Sequence, residues 1–137
     1  MTDFPITIYH NPKCGTSRNT IAMVEAAGYA PEVVEYLKAG WTAEQLAGLV
    51  QATGGTAQDL LRAKGTRAEE LGLTAPGKSD AEVIAAMVAD PILVNRPIVV
   101  TPKGTRLCRP SELVLDLLER QPESFTKEDG EVVKPKG

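Results

Sequence analysis

ITIYHNPKCGTSRNTIAMVEAAGYAPEVVEY, from Ile6 to Tyr36, is the stretch from which the architecture is read. Ile6 and Ile8 alternate with Thr7 and Tyr9, a β-branched and aromatic pattern that predicts a short strand. His10, Asn11 and Pro12 break it, and Cys14-Gly15 falls in the loop that follows. Thr16 and Ser17 are cap-type residues, and Ile21, Val24 and Ala27 then recur at helical spacing up to Gly28. After Pro31, Glu32 to Tyr36 predicts a second strand. The unit is therefore strand, cysteine loop, helix, strand, with parallel strands and a right-handed crossover.

Downstream the pattern turns helical. Thr42 caps AEQLAGLVQAT, in which Leu46, Leu49 and Val50 share a face. Thr56 opens TAQDLLRAK, a shorter helix ending at Gly65, and Ala68 to Leu71 adds a turn. Ser79 or Asp80 caps AEVIAAMVAD, which Pro91 stops. Ile98–Thr101 and Thr105–Arg109 flank the turn Pro102-Lys103-Gly104, a spacing that predicts an antiparallel hairpin. Pro110 then opens a helix carrying Leu113, Val114, Leu117 and Leu118. Beyond Gln121 the periodicity is lost.

The order β-α-β, helical insert, β-β-α predicts an α/β fold of the thioredoxin-like (glutaredoxin-type) class, a mixed four-stranded sheet with an all-helical insertion. The expected organisation is a single domain over 1–121 with the insertion at about 42–90. An irregular C-terminal tail, 122–137, packs on that domain or trails from it. Pro97 immediately precedes the third strand, where this fold class commonly places a cis proline facing the reactive cysteine. An X-Pro bond lowers the cost of the cis form to about 0.5–1 kcal/mol, so the isomer is feasible there.

Composition narrows the function. The chain has 137 residues with 15 Lys+Arg against 18 Asp+Glu, a formal net charge of -3. One domain of ordinary core size is expected. An acidic balance argues against a nucleic-acid binder and, taken as a whole-protein quantity, against an anion as substrate. Two cysteines are too few for a disulfide scaffold, no stretch resembles a secretory signal, and the apolar runs fall far short of the ~20 residues of a membrane span. The expectation is a soluble, cytoplasmic protein with both thiols reduced. No Cys/His/carboxylate cluster has metal-ligand spacing, so no metal is expected.

Cys14 lies between a strand and a helix N-terminus, where amide N–H groups and the helix dipole favour an anion. Such a setting brings a thiol from about 8.5 to roughly 3.5–7.5 and makes it a nucleophile. His10, four residues earlier, is placed to add positive charge or a hydrogen bond. A dithiol oxidoreductase would need a second cysteine at the position of Ser17, and a tyrosine-phosphatase loop would need an arginine at Thr20. The site is therefore monothiol and must recruit an external thiol. Arg62 ends a predicted helix, Arg96 precedes Pro97, and Arg109 precedes Pro110. Guanidinium groups bind tetrahedral oxyanions through paired donors, which makes these three the candidates for an oxyanion site. Cys108 alternates with Arg109 on a strand and is expected to be structural. Asn11, Thr16, Ser17 and Arg18 either shape the loop around Cys14 or serve only as capping and turn residues, while Arg67 and Arg106 are expected to be surface charges and Trp41 to pack.

YHNPKCGTSRNT (Tyr9–Thr20), LLR (Leu60–Arg62) and DPILVNRPIVVTPKGTRLCRPSE (Asp90–Glu112) closely resemble the glutaredoxin-coupled arsenate reductases. The likeness extends into FTKEDGE (Phe125–Glu131) and so covers nearly the whole chain. The resemblance implies Cys14 as catalytic cysteine, His10 as an aid to its ionisation, and Arg62, Arg96 and Arg109 as the arsenate-handling arginines. It further implies a covalent thiolate–arsenate adduct, glutathione as co-substrate with no bound cofactor, and a transient glutaredoxin partner. Two rivals stand beside it. Spx-type regulators of the same fold bind RNA polymerase but typically carry a Cys-x-x-Cys switch, which Ser17 interrupts. An enzyme acting on another thiol substrate would leave the arginines without evident use.

Overall fold

The computed structural model describes residues 4–134, which fall into two compact units. The first joins the chain up to Glu35 with the chain from Arg96 onward, and the second is Tyr36–Asn95.

In the first unit β1 (Thr7–His10) is parallel to β2 (Glu32–Glu35), with Ile8 opposite Val33. On its other side β1 runs antiparallel to β3 (Ile98–Thr101), with Ile8 opposite Val99. β3 in turn pairs antiparallel with β4 (Gly104–Leu107), giving the mixed order β2-β1-β3-β4. This is the predicted thioredoxin-like sheet. Alternation sends Ile6, Ile8 and Val99 to one face, where they join Met23 and Val24 of α1 (Gly15–Ala26) and Val114, Leu117 and Leu118 in one apolar core. Burying each such side chain contributes roughly 1.5–3 kcal/mol, which is what fixes α1 against the sheet.

α1 ends in a Schellman motif. Tyr29 N–H donates to the Val24 carbonyl and Gly28 N–H to that of Glu25. Gly28 has φ +97°, a conformation that costs glycine least. The start of α1 differs from expectation. Its N-cap is Cys14 itself rather than Thr16 or Ser17, because Cys14 holds extended dihedrals while its carbonyl accepts the first helical bond from Arg18.

The second unit is built on α3 (Ala43–Thr53) and α4 (Asp80–Ala89), preceded by the single turn α2 (Tyr36–Ala39). Capping boxes formed by Thr42 with Gln45 and Ser79 with Glu82 start both longer helices. Leu46, Leu60, Val83, Met87, Leu93 and Val94 are fully or almost fully buried. Tyr36 donates its hydroxyl proton to the Val94 carbonyl at 2.8 Å, and its ring lies 5.3 Å from that of Trp41.

Several segments depart from the reading of the sequence: Tyr36 opens α2 instead of ending β2, and β4 stops at Leu107, short of Cys108 and Arg109. TAQDLLRAK is a 3-10 turn over Ala57–Leu60 only. Leu61 bridges to Val94, and Arg62 N–H donates to the Leu93 carbonyl, so ladder bonds replace helical ones. Ser111–Leu117 is a 3-10 helix rather than an α-helix. Within 122–137, β5 (Phe125–Thr126) and β6 (Val132–Val133) form a small hairpin that turns at Gly130, φ +93°. Among the described residues no helix is long and apolar enough to cross a membrane.

Candidate active site

The turn Asn11–Cys14 connects β1 to α1. Cys14 N–H donates to the Asn11 carbonyl at 3.0 Å, and the Asn11 side-chain oxygen accepts from Lys13 N–H at 2.9 Å. Pro12 is at the second position of this turn, where its fixed φ suits the bend. The result is a cysteine held at a helix start and only 6% exposed.

Ser17 supports the turn from below. Its oxygen accepts from Asn11 N–H at 3.2 Å and lies 2.6 Å from His10 Nδ1. All three residues are buried. Burial also holds the His10 imidazole below its ordinary pKa, with the Arg18 charge acting the same way and Glu35 opposing it. A positive charge on His10, one of the two contributions expected of it, is therefore disfavoured. The hydrogen bond is present, and it goes to Ser17.

From the sheet side, the Arg109 guanidinium donates to Cys14 Sγ at 3.6 Å and to the Arg96 carbonyl at 3.0 Å. Arg96–Pro97 and Arg109–Pro110 are both cis. Burial is the largest influence on the Cys14 thiol and opposes its ionisation. The Ser17 backbone N–H, hydrogen bonding and charge from Arg96, and hydrogen bonding from Arg109 outweigh it, so the thiol pKa is lowered. Although the sulfur makes no regular side-chain cap, the N–H at the third helical position still favours its thiolate.

The first unit thus gathers Cys14, Ser17, His10, Arg96 and Arg109. Arg62 belongs to the second unit, where its backbone carbonyl accepts from the Thr66 hydroxyl at 2.7 Å. Cys108 is wholly buried, and burial pushes its thiol up to about 12. Arg67 and Arg106 make exposed ion pairs with Glu70 and Asp116. Trp41 is buried beside Tyr36. Two residues not singled out in the sequence touch the cysteine loop's surroundings. The Glu128 carboxylate accepts both Nε (2.8 Å) and Nη2 (2.9 Å) of Arg18, and Asn19 Oδ1 accepts from Glu128 N–H at 3.1 Å. The run FTKEDGE was the only sequence signal for that contact. A cleft of about 470 Å3 lined by Lys103, Glu112, Asp116 and Glu119 among others includes neither Cys14 nor the three arginines.

Residues 9–117 match the model of the ArsC family. The chain belongs to the ArsC family. Within it, the sequence is 57% identical over 134 residues to the arsenate reductase ArsI1 of Synechocystis sp. (strain ATCC 27184 / PCC 6803 / Kazusa), covering 97% of this chain and 93% of that protein. It is 50% identical over 129 residues to an arsenate reductase of Escherichia coli (strain K12), with 93% and 92% covered. Among solved structures, an arsenate reductase from Vibrio cholerae superposes with a TM-score of 0.80 at 40% identity, covering 85% of this chain and 100% of that one. The ArsC assignment accords with the thioredoxin-like sheet and the cysteine placed after β1.

Proposed function

We propose that this ArsC-family chain is an arsenate reductase coupled to glutathione and glutaredoxin. The observation that carries the reading is the Cys14 sulfur, lowered in pKa and 3.6 Å from an Arg109 guanidinium nitrogen at a helix start. A thiolate beside fixed cationic donors suits a nucleophile that must meet an oxyanion without being repelled by it. In the proposed reaction Arg62, Arg96 and Arg109 hold arsenate. The Cys14 thiolate forms a sulfur–arsenic bond as one oxygen leaves as water. Glutathione adds as the second thiol, and a second water leaves. Glutaredoxin thiolate then attacks the glutathione sulfur. The new disulfide forms, and its two electrons remain on arsenic, which falls from As(V) to As(III) while still bound to Cys14. Hydrolysis releases arsenite and restores the thiolate.

The external thiols supply what the chain lacks, since Ser17 stands where a resolving cysteine would be and Cys108 is buried and protonated. A reducing cytoplasm suits this cycle, and the chain acts as a monomer with transient partners. Arsenate-dependent NADPH oxidation, with glutathione, glutaredoxin and glutathione reductase supplied, tests the reading. Turnover that disappears in Cys14→Ser is expected; no turnover by protein whose Cys14 alkylates normally would overturn it.

A further inference from the structure

Arg18 and Glu128 take no part in the reaction above, yet they close over the segment that presents Cys14. Arg18 is in the first turn of α1, and its guanidinium has two different tasks. Nε and Nη2 form a fork on the Glu128 carboxylate, while Nη1 donates to the Pro12 carbonyl at 2.7 Å. Pro12 is inside the turn whose last residue is Cys14. Glu128 is held in place independently of Arg18. Its N–H is bonded to Asn19, and the neighbouring Lys127, with a side chain only 9% exposed, pairs with Glu112 at 2.7 Å and Glu131 at 2.9 Å. The carboxylate also covers Gly15, the residue after the cysteine, so closely that a Cβ there would lie 3.6 Å from Glu128 Oε1.

Stability does not explain this arrangement. Both side chains are about half exposed, 44% and 51%, and solvated pairs of that kind add little to folding. What the fork does is orient the third donor, because a planar guanidinium fixed at two nitrogens has its remaining N–H direction determined. The carboxylate simultaneously offsets a positive charge that lowers the His10 pKa and that interacts electrostatically with Cys14.

We propose that Arg18 and Glu128 are a positioning pair for Cys14, in which the C-terminal hairpin aims the guanidinium that fixes the Pro12–Lys13 peptide of the cysteine turn and cancels that guanidinium's charge beside the thiol. The pair rests on the reading of Cys14 as the nucleophile. Its ionisation is measured without arsenate, so failure of arsenate reduction and failure of the pair are separate results.

The test is the pH profile of Cys14 alkylation by iodoacetamide at low ionic strength, read by mass spectrometry of the Cys14 peptide. In Glu128→Gln the Arg18 charge is no longer offset, and the midpoint should fall by about half a pH unit. In Arg18→Gln the carboxylate is left unpaired near the thiol, and the midpoint should rise by about as much. The double variant should return to within about 0.2 of the parent, since the pair is neutral as a unit. Arg18→Lys keeps the charge and loses the fork. It should retain the parent midpoint while alkylating more slowly on the alkaline plateau, where only presentation of the sulfur matters. Midpoints that stay fixed in both single variants would overturn the proposal. So would shifts of both in one direction, the mark of a loosened loop rather than of a charge pair.

Discussion

Replacing Cys108 by alanine should remove a specific loss of stability in alkali. Cys108 is wholly buried, and that burial, helped by Asp116 and opposed by Arg106, pushes its thiol up to about 12 from a reference of 9.0. Between those two values the unfolded chain has released a proton that the folded chain still holds. Stability therefore falls as pH rises, by up to ~1.4 kcal/mol per pH unit, beginning near the unfolded value and ending near the folded one. At about pH 10 the accumulated loss is about 1.4 kcal/mol relative to neutrality, the free energy of one unit of displaced titration. Cys14 carries the opposite sign. Its lowered pKa contributes stability that is complete above the ordinary thiol value and is lost as pH falls through the folded one. Urea melts of parent and Cys108→Ala at about pH 7.5 and about pH 10 isolate the Cys108 part, because every other titration cancels in the difference. The fixed cost of the smaller side chain also cancels, appearing equally at both values. The parent should lose about 1.4 kcal/mol more than the variant over that interval. Equal losses would refute the reasoning, showing that Cys108 ionises as readily folded as unfolded.

Arg109→Lys keeps a charge but loses the planar group that bonds both Cys14 Sγ and the Arg96 carbonyl. Charged hydrogen bonds contribute about 1.5–3 kcal/mol, so the arsenate-dependent rate should drop about 10- to 100-fold and the Cys14 alkylation midpoint should rise. An unchanged rate and midpoint would count against the role proposed for Arg109. Ser17→Ala leaves the buried Asn11 N–H and His10 Nδ1 without their shared partner. It should cost about 1–3 kcal/mol in chemical denaturation, and a neutral result would mean water replaces the hydroxyl. Thr42→Ala removes the side-chain acceptor for Gln45 N–H at the start of α3 and should cost about 1 kcal/mol by the same measurement.

What the sequence makes legible here follows from how far each determinant reaches along the chain. Ile6, Ile8, Val99 and the α1 stripe obey local periods of two and 3.6, so the sheet and α1 are readable. LLRAK continues a helical pattern, but Leu61 leaves the helix for a bridge with Val94, thirty-three residues away, and no local period encodes that choice. The hairpin Phe125–Val133 has strands of two residues each, too short to show alternation. The site divides the same way. Cys14 is identified by its place between β1 and α1, and Arg96 and Arg109 by the prolines that follow them. Ser17 is marked in the sequence by the absence of a second cysteine and as a cap-type loop residue, but its bond to His10 is not, because that bond crosses from helix to strand. Glu128 lies 110 positions from Arg18, a separation at which neither residue marks the other.

The two thiols show why a net charge of -3 does not decide whether a protein can stabilise an anion. Both are buried, and burial is the largest influence on each, acting against ionisation. Both also sense an arginine, Cys108 through Arg106 and Cys14 through Arg96. Yet one is raised to about 12 and the other is lowered. Cys108 is the more deeply enclosed of the two, and a nearby positive charge alone does not separate them. Beside shallower burial, Cys14 has a set of donors that reach its sulfur, from Ser17 N–H at the helix start and from the Arg96 and Arg109 guanidinium groups. Partial burial raises the cost of the charge, but it also strengthens each hydrogen bond made to that charge, so several donors converging on one atom reverse the sign. An arginine acting only through its field, as Arg106 does on Cys108, leaves the sign unchanged. Local donor geometry, rather than total charge, therefore makes this acidic chain able to hold a thiolate at Cys14.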